Sequence, residues 1–358
     1  MTSLNRLLKA MLENKASDLH ITTGCSPTFR IHGKLVRTKL DSLTPTAAQE
    51  LCLSILTEKQ KAQLDSERQI DLSFGIKDLA RFRANIYYQR GAVAGAFRHI
   101  PFDIPKVGNL GLPDIVQDLV HRPKGLVLVT GATGSGKTTT LASLIDYLND
   151  HESLHVLTIE DPIEYIHSHR RSVVNQRELG SDARTFKEAL RASLREDPDV
   201  VLVGEMRDPD TIETALTLAE TGHLVFSTLH TSGAHQTITR IIQSFPPLQQ
   251  DQIRVQLSMS LEGVISQVLL PRRDVGRVVA AEVMVPNTAV RSLIRENKLH
   301  QIPSAMLLNQ QETGMVTLNQ SLEKLVRMNL VEVGDAIAAT PEPSELMKAL
   351  GPLSKKAS

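Results

Sequence analysis

Apolar residues recur at three- and four-residue intervals from the first turn of the chain. Leu4, Leu7, Leu8, Met11 and Leu12, with Asn5, Arg6 and Lys9 between them, predict an amphipathic helix. A targeting or membrane-surface helix has the same spacing, but Glu13 and the strand-like residues 18–22 follow directly, which favours a helix packed on a domain. Short strands are expected at 19–22 and on either side of a His32-Gly33 turn, over 28–36. Residues 44–64 read as helical, with Leu51, Ile55 and Leu56 on one face. A meander is expected over 70–76, 80–89 and 93–100, broken near Lys77-Asp78 and Arg90-Gly91. Alternation in its middle strand puts Phe82, Ala84, Ile86 and Tyr88 on one face and Arg81, Arg83 and Asn85 on the other.

The pattern changes near residue 100. Pro101, Pro105, Gly108, Gly111 and Pro113 mark residues 101–113 as an interdomain linker between an α+β module over 1–100 and a second domain over 114–340. In that domain short apolar strands at 127–129, 156–159, 200–203 and 224–227 alternate with helices. This predicts an α/β fold with a mostly parallel sheet, which binds ligands beyond the carboxyl ends of its strands. Residues 249–270 read as one long helix, 277–285 as a strand and 289–330 as mostly helical. From Pro341 onward, Pro343, Gly351, Pro352 and Lys355-Lys356 suggest a flexible tail over 341–358.

Composition narrows the function classes. The 358 residues suit about two domains. Lys plus Arg equals Asp plus Glu, at 40 each, and aromatics are 3 % with no Trp, which argues against a nucleic-acid partner. Cys25 and Cys52 supply neither a disulfide framework nor a four-ligand zinc site. No apolar run is long enough for a membrane span, so a soluble, cytoplasmic protein is expected.

The strongest chemical signal is Gly131-Ala132-Thr133-Gly134-Ser135-Gly136-Lys137-Thr138, which fits the phosphate-loop pattern at every defined position. An apolar run precedes it and a helix beginning with Thr139 follows. Its glycines let successive N–H groups turn inward on a polyphosphate, and the helix adds its positive end. Lys137 would reach the β- and γ-phosphates of ATP, and the Thr138 hydroxyl would ligate Mg²⁺.

Three further strand ends carry polar groups. Thr158-Ile159-Glu160-Asp161-Pro162-Ile163-Glu164 offers carboxylates to polarise a water or bind the metal's water shell. Val200 to Val203 followed by Gly204-Glu205 resembles the strand that presents the magnesium-associated acid, with Glu one residue later than the usual Asp. Thr221-Gly222-His223 opens a strand whose far end carries Thr228 and His230, placed to sense a γ-phosphate. Arg184, Lys187, Arg191 and Arg195 form a basic helical stripe opposite Phe186, Ala189, Leu190 and Leu194. A solvated face is the ordinary reading and a subunit contact the sharper one. Arg81, Arg83 and Arg98 are candidates to reach a phosphate across a subunit boundary.

Taken together, the loop 131–138, the acidic segment 158–164, Val203-Gly204-Glu205, and Thr221-Gly222-His223 with Thr228-Leu229-His230 resemble the Walker A, Asp box, Walker B and His box of the secretion ATPases. Residues 190–199 are also typical of that family. Ala289-Val290-Arg291-Ser292-Leu293-Ile294-Arg295-Glu296 resembles the helical motif of its pilus-retraction branch. The resemblance implies a PAS-like N-terminal domain, a RecA-like ATPase domain, and a homohexamer with nucleotide between the two. It also implies Glu164 as catalytic carboxylate, Glu205 as the Walker B acid, His223 and His230 as His-box members, and interface arginines in the region of Arg81, Arg83 and Arg98. The implied partners are an inner-membrane pilus platform protein, the pilus machinery and a paralogous retraction ATPase, which would place the protein at the cytoplasmic side of that membrane. An assembly or secretion ATPase would usually carry a four-cysteine zinc module in its C-terminal half, whereas both cysteines here precede residue 53. An accessory nucleotide-binding subunit is the non-enzymatic alternative, and Lys137, Glu164 and Glu205 together favour an enzyme.

Overall fold

Alternation along six short strands decides the first half of the protein. In the computed structural model, which describes residues 3–31, 33–76, 79–100, 103–308 and 310–356, these are β1 (Asp18–Ile21), β2 (Thr28–Ile31), β3 (Lys34–Arg37), β4 (Gln69–Ile76), β5 (Ala80–Gln89) and β6 (Ala92–Ile100). The expected turns at His32 and Lys77-Asp78, and Pro101 of the linker, lie outside the described residues. The strands form one antiparallel sheet in the order β3-β2-β1-β6-β5-β4. Phe82, Ala84 and Ile86 of β5 are fully buried with Leu19, Phe97 and the helix Leu4–Glu13, which presents Leu7, Leu8 and Met11. The helical stretch expected over 44–64 is divided into Pro45–Leu53 and Glu58–Glu67. The break is local chemistry: Thr57 and Gln60 form a reciprocal capping box that starts a new helix.

The second half is built on β7 (Gly125–Thr130), β8 (His155–Glu160), β9 (Val173–Glu178), β10 (Val200–Val203), β11 (Leu224–Leu229), β12 (Leu261–Pro271) and β13 (Arg277–Met284). Their order is β13-β12-β7-β11-β10-β8-β9, and every pair is parallel except β12–β13. Leu126 and Leu128 of β7 join the core on one face, while Val127 and Val129 join the core on the other. A parallel sheet covered on both sides explains why these strands read as unbroken apolar runs. By contact the chain divides into Met1–Asp103 with Glu164–Ile166, and Ile104–Ile163 with His167–Ser358. No helix among the described residues is long and apolar enough to cross a membrane.

Two expectations are corrected. Residues 249–270 are not one helix: the helix is Pro247–Ser260, and Leu261–Pro271 is β12, inserted between β7 and β13. Its residues are apolar towards both faces, a pattern a buried helix shares. The tail is not wholly irregular either. Pro343–Leu350 is a helix whose Leu346 and Leu350 are buried against Leu322 and Val326. Pro343 stands in its first turn, where proline lacks only an N–H that would have no partner anyway.

Candidate nucleotide site

The phosphate loop leaves the carboxyl end of β7 and enters the helix Lys137–His151. Gly131, Gly134 and Gly136 have φ of 136°, 81° and 95°, in the region that only glycine adopts readily. At Gly131 there is also no room, since a Cβ would lie 2.3 Å from the Gln267 carbonyl oxygen and 2.6 Å from Ser135 Oγ. Ala132, Thr133 and Gly134 are exposed, Ser135 and Lys137 buried, and Thr138 and Thr139 half-buried. Lys137 Nζ donates to the carbonyl oxygens of Gly131 (2.9 Å) and Ala132 (3.1 Å), so the ammonium lies within the curl of the loop. Ser135 Oγ is buried with no hydrogen-bond partner among the described residues. From β12, the Gln267 amide donates to Thr140 Oγ1 at 2.9 Å in the first turn of the helix.

Three other strands end at the same edge of the sheet. The Gly204 N–H donates to the Ile159 carbonyl at 2.8 Å, and a Cβ on Gly204 would meet that carbonyl and Glu160 Cα at 3.3 Å. Thr228 Oγ1 donates to the Gly204 carbonyl at 2.7 Å. β10 is thus drawn between β8 and β11, and Glu205 follows at its tip. Arg207 Nη2 lies 2.9 Å from Glu205 Oε2, and His230 Nε2 lies 3.3 Å from Oε1. Burial works to raise the Glu205 carboxyl. The hydrogen bond and charge of Arg207, with His230, outweigh it and hold the group below the ordinary carboxylate range. The buried acid at the end of β8 is Glu160, which accepts from Thr158 Oγ1 at 2.7 Å.

The fold therefore gathers the phosphate loop, Glu205, Thr228 and His230 at one edge. His223 is not among them. It precedes β11, where its carbonyl accepts from the Gly125 N–H at the foot of β7, the opposite end from the loop. Glu164 is exposed and groups with the first half of the chain. Arg81 and Arg83 lie on the face of β5 opposite its apolar residues, and Arg83 is paired in register with Arg98 on β6. In the basic stripe, Lys187 is tied to Asp210 at 2.6 Å. Leu194, expected on the apolar side, is 48 % exposed, because the helix ends at Ser193.

Residues 1–275 match the family model of the type II/IV secretion system protein family. The chain belongs to this family. A twitching motility protein of Neisseria gonorrhoeae is 45 % identical over 324 residues, covering 88 % of this chain and 86 % of the relative. The type IV pilus retraction ATPase PilT of Pseudomonas aeruginosa is 44 % identical, with 92 % and 95 % covered. The crystal structure of the pilus retraction motor PilT with bound ADP superposes with a TM-score of 0.92 at 52 % identity, covering 97 % of this chain and all of that one. The expected fold, a separate N-terminal module followed by an ATPase-type α/β domain, is the one observed.

Gln267 and Arg207 are not among the residues that the sequence singles out, whereas Glu160 is one of the acids expected in the segment 158–164. Gln267 was hidden in the run read as helix. Arg207 carried one signal, its place two residues beyond Glu205.

Proposed function

We propose that this chain is an ATP-hydrolysing motor of type IV pilus retraction that works as a homohexamer on a membrane platform protein. The observation that carries the reading is an intact phosphate loop in a chain 44–52 % identical, over nearly all of its length, to proteins named for pilus retraction. Nucleotide fits the loop: residues 132–134 are exposed, the buried Lys137 ammonium lies against the carbonyls of Gly131 and Ala132, and the Ser135 hydroxyl in the same turn has no hydrogen-bond partner among the described residues. Magnesium fits as well, because the Thr138 hydroxyl and an ionised Glu205 are the hard oxygen donors that the ion takes. Bound there with ATP, it would neutralise phosphate charge.

In this reading Lys137 binds the phosphates, and Arg207 and His230 fix the Glu205 carboxylate. Glu164 orients the attacking water, while Arg81, Arg83 and Arg98 of a neighbouring copy supply positive charge. His223, remote from its own chain's loop, acts at a subunit boundary. The motor then sits at the cytoplasmic face of the inner membrane through the pilus machinery. Lys137→Ala should abolish nucleotide binding, and Glu164→Gln should bind ATP but turn it over about 10²–10⁴-fold more slowly. Strains carrying either variant should extend pili without retracting them. Wild-type retraction with Lys137→Ala would overturn the proposal.

A further inference from the structure

Asp18 is a buried carboxylate in the middle of the polar face of the first sheet. It is 7 % exposed. Strand register places it directly opposite Arg98 on β6 and Arg30 on β2, and Arg98 is in turn opposite Arg83 on β5. One transverse row therefore carries Arg30, Asp18, Arg98 and Arg83, with the acid between Arg30 and Arg98, while Arg83 beyond them lies 3.9 Å from Asp71.

The contacts within the row are unequal. Arg98 Nε donates to Asp18 Oδ1 at 2.8 Å, whereas Arg30 Nε is 3.8 Å from Oδ2 and Arg30 Nη1 donates to the Gly33 carbonyl at 2.9 Å. Ser17 Oγ donates to Asp18 Oδ2 at 2.7 Å. Burial works to raise the Asp18 carboxyl, and the Ser17 and Arg98 hydrogen bonds with the Arg98 charge outweigh it, so the group stays ionised. Arg98 is held only through Nε. Its Nη1 and Nη2 have no partner among the described residues, and its side chain is 67 % exposed. A guanidinium gripped at Nε keeps its Nη1/Nη2 edge free, and that edge can meet a phosphate with two parallel N–H bonds. The grip also removes the rotamer freedom that an exposed arginine otherwise loses on binding.

We propose that Asp18 is a positioning residue for Arg98, aiming the Arg98 Nη edge at a phosphate of nucleotide held by a second copy of the chain. This rests on the reading above that Arg98 acts across a subunit boundary. Asp18 itself touches no substrate. Its effect on turnover therefore passes wholly through Arg98.

The test is a double-mutant cycle on purified hexamers with Asp18→Asn, Arg98→Ala and the pair. Asp18→Asn should bind ATP as wild type does and lower kcat about 10–100-fold, the range that losing one charge-assisted hydrogen bond implies. The pair should be no slower than Arg98→Ala alone. Mixing Asp18→Asn chains with Lys137→Ala chains should restore activity, as mixing Arg98→Ala with Lys137→Ala does. A merely structural Asp18 would instead multiply its loss onto Arg98→Ala, lower the melting temperature of both Asp18 variants and give no recovery in mixed rings. That result overturns the proposal while leaving Arg98 in place. Wild-type turnover by Arg98→Ala overturns both the proposal and the reading beneath it.

Discussion

The main-chain carbonyl of Gln267 occupies the space beside Gly131 that any side chain there would need. The two residues close the phosphate loop against β12. Gly131→Ala should therefore fail twice, through the carbonyl at 2.3 Å and through a φ of 136° that alanine rarely adopts. Fluorescent-nucleotide titration should show ADP affinity reduced by more than about tenfold, since the backbone strain alone is worth ~1–3 kcal/mol. Unchanged affinity would mean that the loop tolerates another path.

Burial pushes the imidazole of His167 down to about 4, with the Arg170 charge adding to the effect. The Asp146 carboxylate 4.0 Å away is already bonded to Arg170 and does not offset it. A histidine whose value is depressed on folding takes up a proton more readily when unfolded. Stability is thus unaffected above the unfolded value near 6.5, falls as pH drops from there towards 4, and levels off below. The loss should reach about 3 kcal/mol. Urea denaturation at pH 7.5 and pH 5 should show about 2 kcal/mol of this loss, and His167→Asn should narrow the difference.

Within the helix Thr288–Arg295 the two arginines do different things. Arg291 donates to the carbonyls of Ser258 (2.8 Å) and Met259 (3.1 Å) and pairs with Glu262 at 2.8 Å, fastening this helix to the end of its neighbour and the start of β12. Arg295 is exposed and, among the described residues, hydrogen-bonds to Ser292 alone. Arg291→Ala should cost about 1–3 kcal/mol of stability. Arg295→Ala should leave melting temperature and ATPase unchanged while impairing retraction in cells. Equal melting temperatures for the two variants would remove the distinction.

The C-terminal helix should behave as core. Leu346 is fully buried, so Leu346→Ala should destabilise by about 2–5 kcal/mol. A melting curve that coincides with wild type would show that the helix contributes no packing energy.

The sequence made the phosphate loop and four parallel strands legible, because buried strands of this kind are short apolar runs and the loop's glycines have a fixed spacing. β9 escaped notice: in Val173–Glu178 only Val174 and Glu178 are buried, so an edge strand of mixed polarity carries little periodic signal. β12 was hidden for the opposite reason, being apolar on both faces. Pro343, which by composition points to a flexible tail, instead starts a helix. Gln267 and Asp18 take their roles from strands adjacent in space and remote in sequence, which no local pattern reports. His223 was legible both as a motif member and, at the start of its strand, as a residue at the end of the sheet opposite Thr228 and His230.

The pairing of β12 with β7 also orders events during synthesis. Thr140 and Gln267, which share a hydrogen bond at the mouth of the helix, are 127 residues apart in the chain. A nascent polypeptide that has emerged only as far as residue 260 holds every residue of the phosphate loop and none of the wall that shapes it. Nucleotide then finds no formed cradle, and its mass-action stabilisation is withheld until β12 docks. Ligand can reward the docking of β12 on β7, not the pairing of the strands that precede it in the chain.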